Sequence, residues 1–284
     1  MNILSASGNT LFSLHNARPG ELSTPVSFTE YTVLFFEEGA GVYHADFGAF
    51  PFQGPVLLFA TPTQVMHIEQ EVPTPFTMLR FHGDFYCIEY HRAEVACNGL
   101  LFNNIYIEPS VLLSGEETAS FQQLILLLEG ELSRPAPAEI VLRAYLQLFL
   151  AKCSSIKTNT PANIQAALPQ DDTMEQFRAM LEKNYLTLHK PSDYAELLAM
   201  APNTFTKRCT RYFRKTPSQL IQERLILEAK KQLHLTRKSI KEIAHALKFE
   251  DEYYFSRVFK KFTDMSPQAF RDSIGISIVA DLSS

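Results

Sequence analysis

Ser239–Arg271 reads SIKEIAHALKFEDEYYFSRVFKKFTDMSPQAFR. Ile240, Ile243, Ala244 and Leu247 recur at i, i+3, i+4, i+7, and so do Phe255, Val258, Phe259 and Phe262. Each set is one apolar face of a helix. Only Lys248–Asp251 separates the two runs, so the second helix must turn sharply off the first. A short helix, a tight turn and a second helix bearing Arg257, Lys260 and Lys261 is the layout a helix-turn-helix needs to present basic side chains to DNA. An isolated helical hairpin with a solvated charged face gives the same pattern, so this stretch needs support from elsewhere in the chain.

The support is a repeat about fifty residues upstream. Phe205-Thr206-Lys207-Arg208 matches Phe255-Ser256-Arg257-Val258, and Thr216-Pro217 matches Ser266-Pro267. Tyr194–Leu198 sits where Ile243–Leu247 sits in the second copy. Between the copies, Ile221, Leu225, Ala229 and Leu233 step by four, which predicts one long connecting helix starting just after Pro217, where proline is tolerated. Two like units on one rigid helix can set their second helices into successive major grooves, about 34 Å apart.

The region from about Met174 to Arg271 resembles the AraC/XylS-type transcription regulators. The resemblance rests on Ile240-x-x-Ile243-Ala244, Phe255-Ser256-Arg257-x-Phe259-Lys260-Lys261, Ser266-Pro267 and Phe270-Arg271. Arg224, Leu225 and Ala229 fit that family's connecting helix. The chain departs from the pattern at Arg214, Lys248 and Asp264, where the family usually has glycine, a residue that supplies φ > 0 at helix ends. In the first copy Cys209 and Thr210 stand for an expected Phe-Lys pair, and Arg208 occupies a position that is apolar (Val258) in the second.

In a docked helix-turn-helix, the early residues of the second helix reach base edges while flanking polar and basic groups hold phosphates. Carried over from the resemblance, the base-facing positions are Asn203, Thr204 and Lys207 in the first unit and Glu252, Tyr253 and Arg257 in the second. Arg257 suits guanine, Asn203 adenine, and Glu252 accepts from cytosine. Thr206, Arg211, Ser256, Lys260 and Lys261 are expected on phosphates.

Charge agrees with this division. Residues 1–170 hold 7 Lys+Arg against 16 Asp+Glu, and residues 171–284 hold 19 against 15. The nucleic-acid role therefore belongs to the C-terminal part, since phosphates repel the acidic N-terminal part. Cys87, Cys97, Cys153 and Cys209 form no CxxC pair, which points to free thiols in a reducing cytoplasm. There is no basic start followed by an apolar signal core and no apolar run of membrane-spanning length, so no membrane partner is expected.

Short alternating runs at Tyr31–Glu37, Gly41–Phe47, Pro55–Ala60, Val65–Glu69 and Phe76–His82, punctuated by glycine and proline, predict a small β-barrel. Ahead of such a DNA-binding half, the resemblance implies a cupin-like sensor. A barrel mouth suits a small-molecule effector, and the candidate liners are Tyr31, Phe35, Tyr43, His44, His67, Phe81 and His82. Tyr31, Val33 and Phe35 fall on one strand face and Thr32, Leu34 and Phe36 on the other; either face can point inward. His44, His67 and His82 lie on separate runs with Glu69 near, but His-x-His is absent. The usual ligand set is incomplete, so they are read as ordinary hydrogen-bonded histidines, with no metal and no cofactor assigned.

Downstream, Phe121, Leu124, Ile125, Leu128 and Leu132 mark one amphipathic helix, and Leu142, Tyr145, Leu146, Phe149 and Leu150 a second. The second is apolar over most of its circumference, so a face is available for packing or for a dimer partner.

The fold expected is multidomain α+β. A sensor and dimerisation domain spans 1–155 (barrel about 1–110, helices about 116–155). A linker covers 156–172, an all-α domain with two helix-turn-helix motifs 173–275, and a tail 276–284. The function expected is a cytoplasmic, homodimeric, non-enzymatic regulator of promoter DNA. The resemblance further implies an activator that responds to an effector and contacts RNA polymerase. Two rival readings stand beside it. One is a cupin-type metal enzyme with an appended DNA-binding domain, holding iron, zinc or manganese at His44, His67 or His82. The other is a ligand-independent regulator whose barrel only dimerises.

Overall fold

A computed structural model describes every residue except 1, 6–7, 9, 47, 87–99, 103–104, 107, 160–170 and 277–284. The strands are β1 (Asn2–Leu4), β2 (Thr10–Ala17), β3 (Tyr31–Phe36), β4 (Ala40–Ala45), β5 (Gly48–Gln53), β6 (Val56–Ala60), β7 (Met66–Glu69), β8 (Phe76–Phe81) and β9 (Ser110–Leu112). The helices are α1 (Gly115–Leu132), α2 (Glu139–Asn159), α3 (Asp172–Asn184), α4 (Pro191–Leu197), α5 (Pro202–Phe213), α6 (Pro217–Leu235), α7 (Ile240–Ala246), α8 (Glu252–Thr263) and α9 (Pro267–Ile274). Two compact units result: Met1–Asn104 with Glu108–Thr160, and Ile105–Ile107 with Pro161–Ser284.

In the first unit the strands form two antiparallel sheets, one ordered β1-β2-β8-β3-β6-β9 and a smaller one ordered β5-β4-β7. Among the described strands no ladder joins them, so the expected barrel is an open two-sheet structure. The central strands of the larger sheet are buried on both sides: every residue of β3 and of β6 is buried. Leu34, Phe36, Val56, Leu58 and Met78 pack against Tyr43, Phe52, Met66 and Ile68 of the smaller sheet. The opposite face, with Tyr31, Val33, Phe35, Leu57, Phe59, Leu79 and Phe81, packs against α1 and α2. An antiparallel strand with one wet face alternates apolar and polar residues; a strand covered on both faces reads as continuous apolar sequence. YTVLFF is that second kind.

Both amphipathic helices form where the spacing predicts them. Phe121, Leu124, Ile125, Leu128 and Leu132 are buried, as are Leu142, Leu146, Phe149 and Leu150. Phe121 meets Phe149 edge to face at 4.8 Å. Ser114 and Glu117 start α1 with a reciprocal capping box, which satisfies two otherwise unpaired N–H groups. Helix α2 continues to Asn159, so residues 156–159 belong to it and not to the linker. The remainder of the expected linker, except Asp171 and Asp172, lies outside the described residues, as do Cys87, Cys97 and the tail beyond 276.

In the second unit α6 serves two cores. Its Leu220, Ile221 and Leu225 pack with Phe177, Tyr194, Phe205 and Cys209. From the next residue on, Ile226, Ala229 and Leu233 pack with Ile243, Ala244, Leu247, Phe255, Phe259 and Phe270. The buried edge-to-face contacts of Phe177 with Tyr194 and Phe205, at 5.4 and 4.9 Å, each contribute about 0.5–1.5 kcal/mol beyond area burial. Phe249 packs against both cores. Both helix-turn-helix units are thus built on one shared helix. Burial pushes the Cys209 thiol up to about 12, so this cysteine is a core residue and not a nucleophile.

Candidate nucleic-acid interface

The two second helices are α5 and α8. They start differently: α5 follows Ala201, which offers no side-chain cap, whereas α8 is capped. Pro202 sits at the first position of α5, and the Asp251 carboxylate accepts the Tyr254 N–H to start α8. Asp251 is also stabilised there by the helix dipole. Thr216-Pro217 and Ser266-Pro267 repeat one device, a capping hydroxyl followed by proline in the first turn, at the starts of α6 and α9.

The four turns that hold these helices share a backbone conformation. Ala199 and Lys248, just after α4 and α7, have φ of 49° and 61°; Arg214 and Asp264, just after α5 and α8, have φ of 58° and 57°. All four are left-handed. The turns therefore adopt the geometry that glycine would give them, with non-glycine residues carrying the strain. Ala199 has no counterpart in the expected departures; it became visible only once the backbone was in view.

On α5 and α8 the apolar stripe faces the core. Phe205, Cys209 and Phe213 are buried, as are Phe255, Phe259 and Thr263. The other face is open. Of the positions expected on bases, Asn203, Thr204, Lys207, Tyr253 and Arg257 are exposed and Glu252 is half-buried. Tyr253 stands 75% exposed. The Arg257 guanidinium lies 5.8 Å from the ring of Tyr254, within range of a weak cation–π contact that orients it. Of the positions expected on phosphates, Thr206, Arg211, Lys260 and Lys261 are exposed and Ser256 is half-buried. The Thr206 hydroxyl donates back to the Pro202 carbonyl at 3.0 Å, which keeps it close to its own helix.

Arg208 is turned inward, as its apolar counterpart Val258 suggests. Its guanidinium makes a bidentate pair with Asp171, with Nε 3.0 Å from Oδ2, and also reaches the Thr173 hydroxyl. Asp171 in turn caps α3 by accepting the Met174 N–H. Burial alone would raise the Asp171 carboxyl, but the hydrogen bonds from Arg208 and Met174 outweigh it and hold the group below the usual carboxylate range. Arg224 is likewise structural. It donates to Glu182 at 2.9 Å, approaches Glu228 and stacks 3.8 Å over the Tyr185 ring, tying α6 to α3. Three exposed basic residues near the start of α7, namely Arg237, Lys238 and Lys241, were not singled out from the sequence. They lie outside any helical stripe, so periodicity carried no signal for them.

Residues 194–273 match the helix-turn-helix domain family. The C-terminal part of this chain is an AraC-type helix-turn-helix domain. Over 105 residues, 36% of the chain, it is 28% identical to the raffinose operon transcriptional regulatory protein RafR of Pediococcus pentosaceus, of which the match spans 38%. Among solved structures, ToxT of Vibrio cholerae is similar over 93% of this chain and 97% of its own, at 14% identity and a TM-score of 0.44. The DNA-binding domain of AdpA, solved with a target DNA, is similar over 36% of this chain and 93% of its own, at 20% identity and a TM-score of 0.35. The AraC-type domain accounts for both copies, the shared helix and the open basic faces of α5 and α8.

The seven candidate liners of an effector pocket fall on different sides of the larger sheet. Tyr31, Phe35 and Phe81 face α1 and α2. Tyr43 faces the intersheet core and donates to the Phe59 carbonyl at 2.9 Å. His44 and His67 alternate with the buried Tyr43, Ala45, Met66 and Ile68, so they lie on the outer face of the smaller sheet. His82 follows β8 and pairs with Asp84 at 3.4 Å. The structure does not bring these seven together. A cleft of about 250 Å³ opens elsewhere in the unit, lined by Leu22, Ile68, Glu69, Gln70 and Phe76 among others. No helix among the described residues is long and apolar enough to cross a membrane.

Proposed function

We propose that this chain is a cytoplasmic, sequence-specific transcription regulator that reads promoter DNA with α5 and α8. One observation supports the reading: two helix-turn-helix units are packed on a single helix, each with the side of its second helix away from the core left open. Helix α6 has 19 residues and so spans roughly 28 Å, close to the rise of one DNA turn. Asn203, Thr204 and Lys207 read one half-site and Glu252, Tyr253 and Arg257 the other. Thr206, Arg211, Ser256, Lys260 and Lys261 hold phosphates.

The N-terminal unit dimerises the protein and binds a small effector. Exposed Leu126 and Leu127 on α1 and Ile140 and Leu148 on α2 support the first role, because isolated subunits seldom leave so many large apolar side chains on adjacent helices. The regulator is an activator that contacts RNA polymerase and has no enzymatic activity of its own. Selection of bound sequences from random DNA by the full chain tests the reading. Two short motifs about 10 bp apart, the second lost in Arg257→Ala, are expected. Enrichment of no sequence at moderate salt would overturn it.

A further inference from the structure

The outer face of the smaller sheet carries a cluster that DNA binding does not use. His44 on β4 is the direct cross-strand partner of His67 on β7, and Val42 is the partner of Glu69. His67 and Glu69 are two residues apart on one strand, so both project on the same face as His44. The two imidazoles lie parallel, 4.1 Å between centroids with 5° between planes. The Glu69 carboxylate stands across both: His44 Nε2 is 3.3 Å from Oε2 and His67 Nε2 is 3.6 Å from Oε1. Donor atoms from the three residues lie within 4.8 Å of one another. His44 Nε2 is buried without a well-aligned hydrogen-bond partner, and it is the ring nitrogen directed at the Glu69 carboxylate; a bound cation would take the place of its proton. The ladder is held close at this point by Gly41, whose missing Cβ would collide with the Glu69 carbonyl.

We propose that His44, His67 and Glu69 bind one late first-row divalent cation of the zinc class. Two imidazoles and one carboxylate match that class. Calcium and magnesium, which prefer oxygen-only ligands, do not suit the set. Ligand atoms bound at about 2.0–2.2 Å to a tetrahedral ion are themselves separated by roughly 3.3–3.5 Å. The two histidine-to-glutamate distances, each to a different carboxylate oxygen, are 3.3 and 3.6 Å, and binding requires the stacked imidazoles to rotate out of parallel so that both nitrogens aim at one ion. His44 and His67 are each 24% exposed and Glu69 is 64% exposed, which leaves solvent in the fourth position. The site lies on the outside of the sheet, away from the intersheet core, and His82 has no part in it. Once bound, the ion cross-links β4 and β7 through side chains.

The test uses the chelator-stripped full chain, dialysed against zinc and against cobalt(II). One equivalent of either is expected, lost in His44→Ala and in His67→Ala, weakened by about ten-fold or more in Glu69→Gln, and unchanged in His15→Ala, whose histidine pairs with Glu21. His67→Cys gives a readout that a folding defect cannot mimic: it keeps the metal and adds a sulfur-to-cobalt charge-transfer band in the near ultraviolet. No stoichiometric zinc on the wild-type chain, metal retained by the His44→Ala/His67→Ala double variant, or cobalt bound to His67→Cys without the new band would each overturn the proposal.

Discussion

Arg257 separates two kinds of contact at the scale of a single side chain. It is exposed, sits one turn into α8 and is oriented by the Tyr254 ring, so its loss should be felt at one base pair. Arg257→Ala is expected to cost about 1–3 kcal/mol on the preferred sequence and to relax preference at that position alone. Lys260→Ala should instead weaken all sequences alike and reduce the salt slope by about one. Competition binding with point-mutated operators distinguishes them; equal behaviour of the two variants would remove the base-contact assignment. The left-handed turn residues give a second expectation. Ala199 carries positive φ with no polar side chain to offset it, whereas aspartate visits this region more readily. Ala199→Gly should therefore stabilise the domain by about 0.5–1 kcal/mol, the strain relieved less the extra entropy of an unfolded glycine. Asp264→Gly should change it little. Urea midpoints at constant m-value measure both.

Between elements, Asp171 and Arg208 join α3 to α5, and the pair makes a pH-dependent prediction. The folded carboxyl lies below its unfolded value, which is about 3.9. Its contribution is therefore complete above the unfolded value and is lost as pH falls through the folded one. Asp171→Asn keeps a competent cap but removes the charge. It should cost about 1 kcal/mol at neutral pH, a figure held low because Arg208 is about a third exposed, and the gap to wild type should narrow between pH 5 and pH 3. A gap that stays constant over that range would show that the charge contributes nothing. The elements themselves were legible wherever one face was wet. Stripes at i, i+3, i+4, i+7 located α1, α2, α7 and α8, and a run stepping by four located α6, because each presents an apolar stripe to a core. Strand β3 was located but not oriented, since both its faces are apolar and both are buried. The candidate pocket failed to gather for that reason: Tyr31 and Tyr43 read alike in sequence yet face opposite sides of the larger sheet. The His44–His67–Glu69 cluster was legible only in part. His67 and Glu69 share a face by alternation, but the pairing of His44 with His67 depends on a register that no local pattern encodes.

Over the whole molecule, charge is divided so that the two units act oppositely on DNA. The N-terminal 170 residues carry a net −9 and the remainder +4. Non-specific affinity comes almost entirely from phosphate neutralisation, and an acidic unit on the same chain opposes it over distances comparable with the Debye length, about 10 Å at 0.1 M salt. A fragment comprising 161–284 should therefore bind random-sequence DNA more tightly than the full chain at low salt. The difference should close as salt rises and both curves lose their electrostatic component. On the preferred operator the order should reverse, because the full chain, if dimeric, engages a second site at high effective concentration while the fragment does not. Fluorescence anisotropy titrations of both proteins on random and operator DNA, at several salt concentrations, measure all four curves. A full chain that bound random DNA as tightly as the fragment at low salt would show that the acidic unit exerts no repulsion. A fragment that matched the full chain on operator would show that dimerisation adds nothing to recognition.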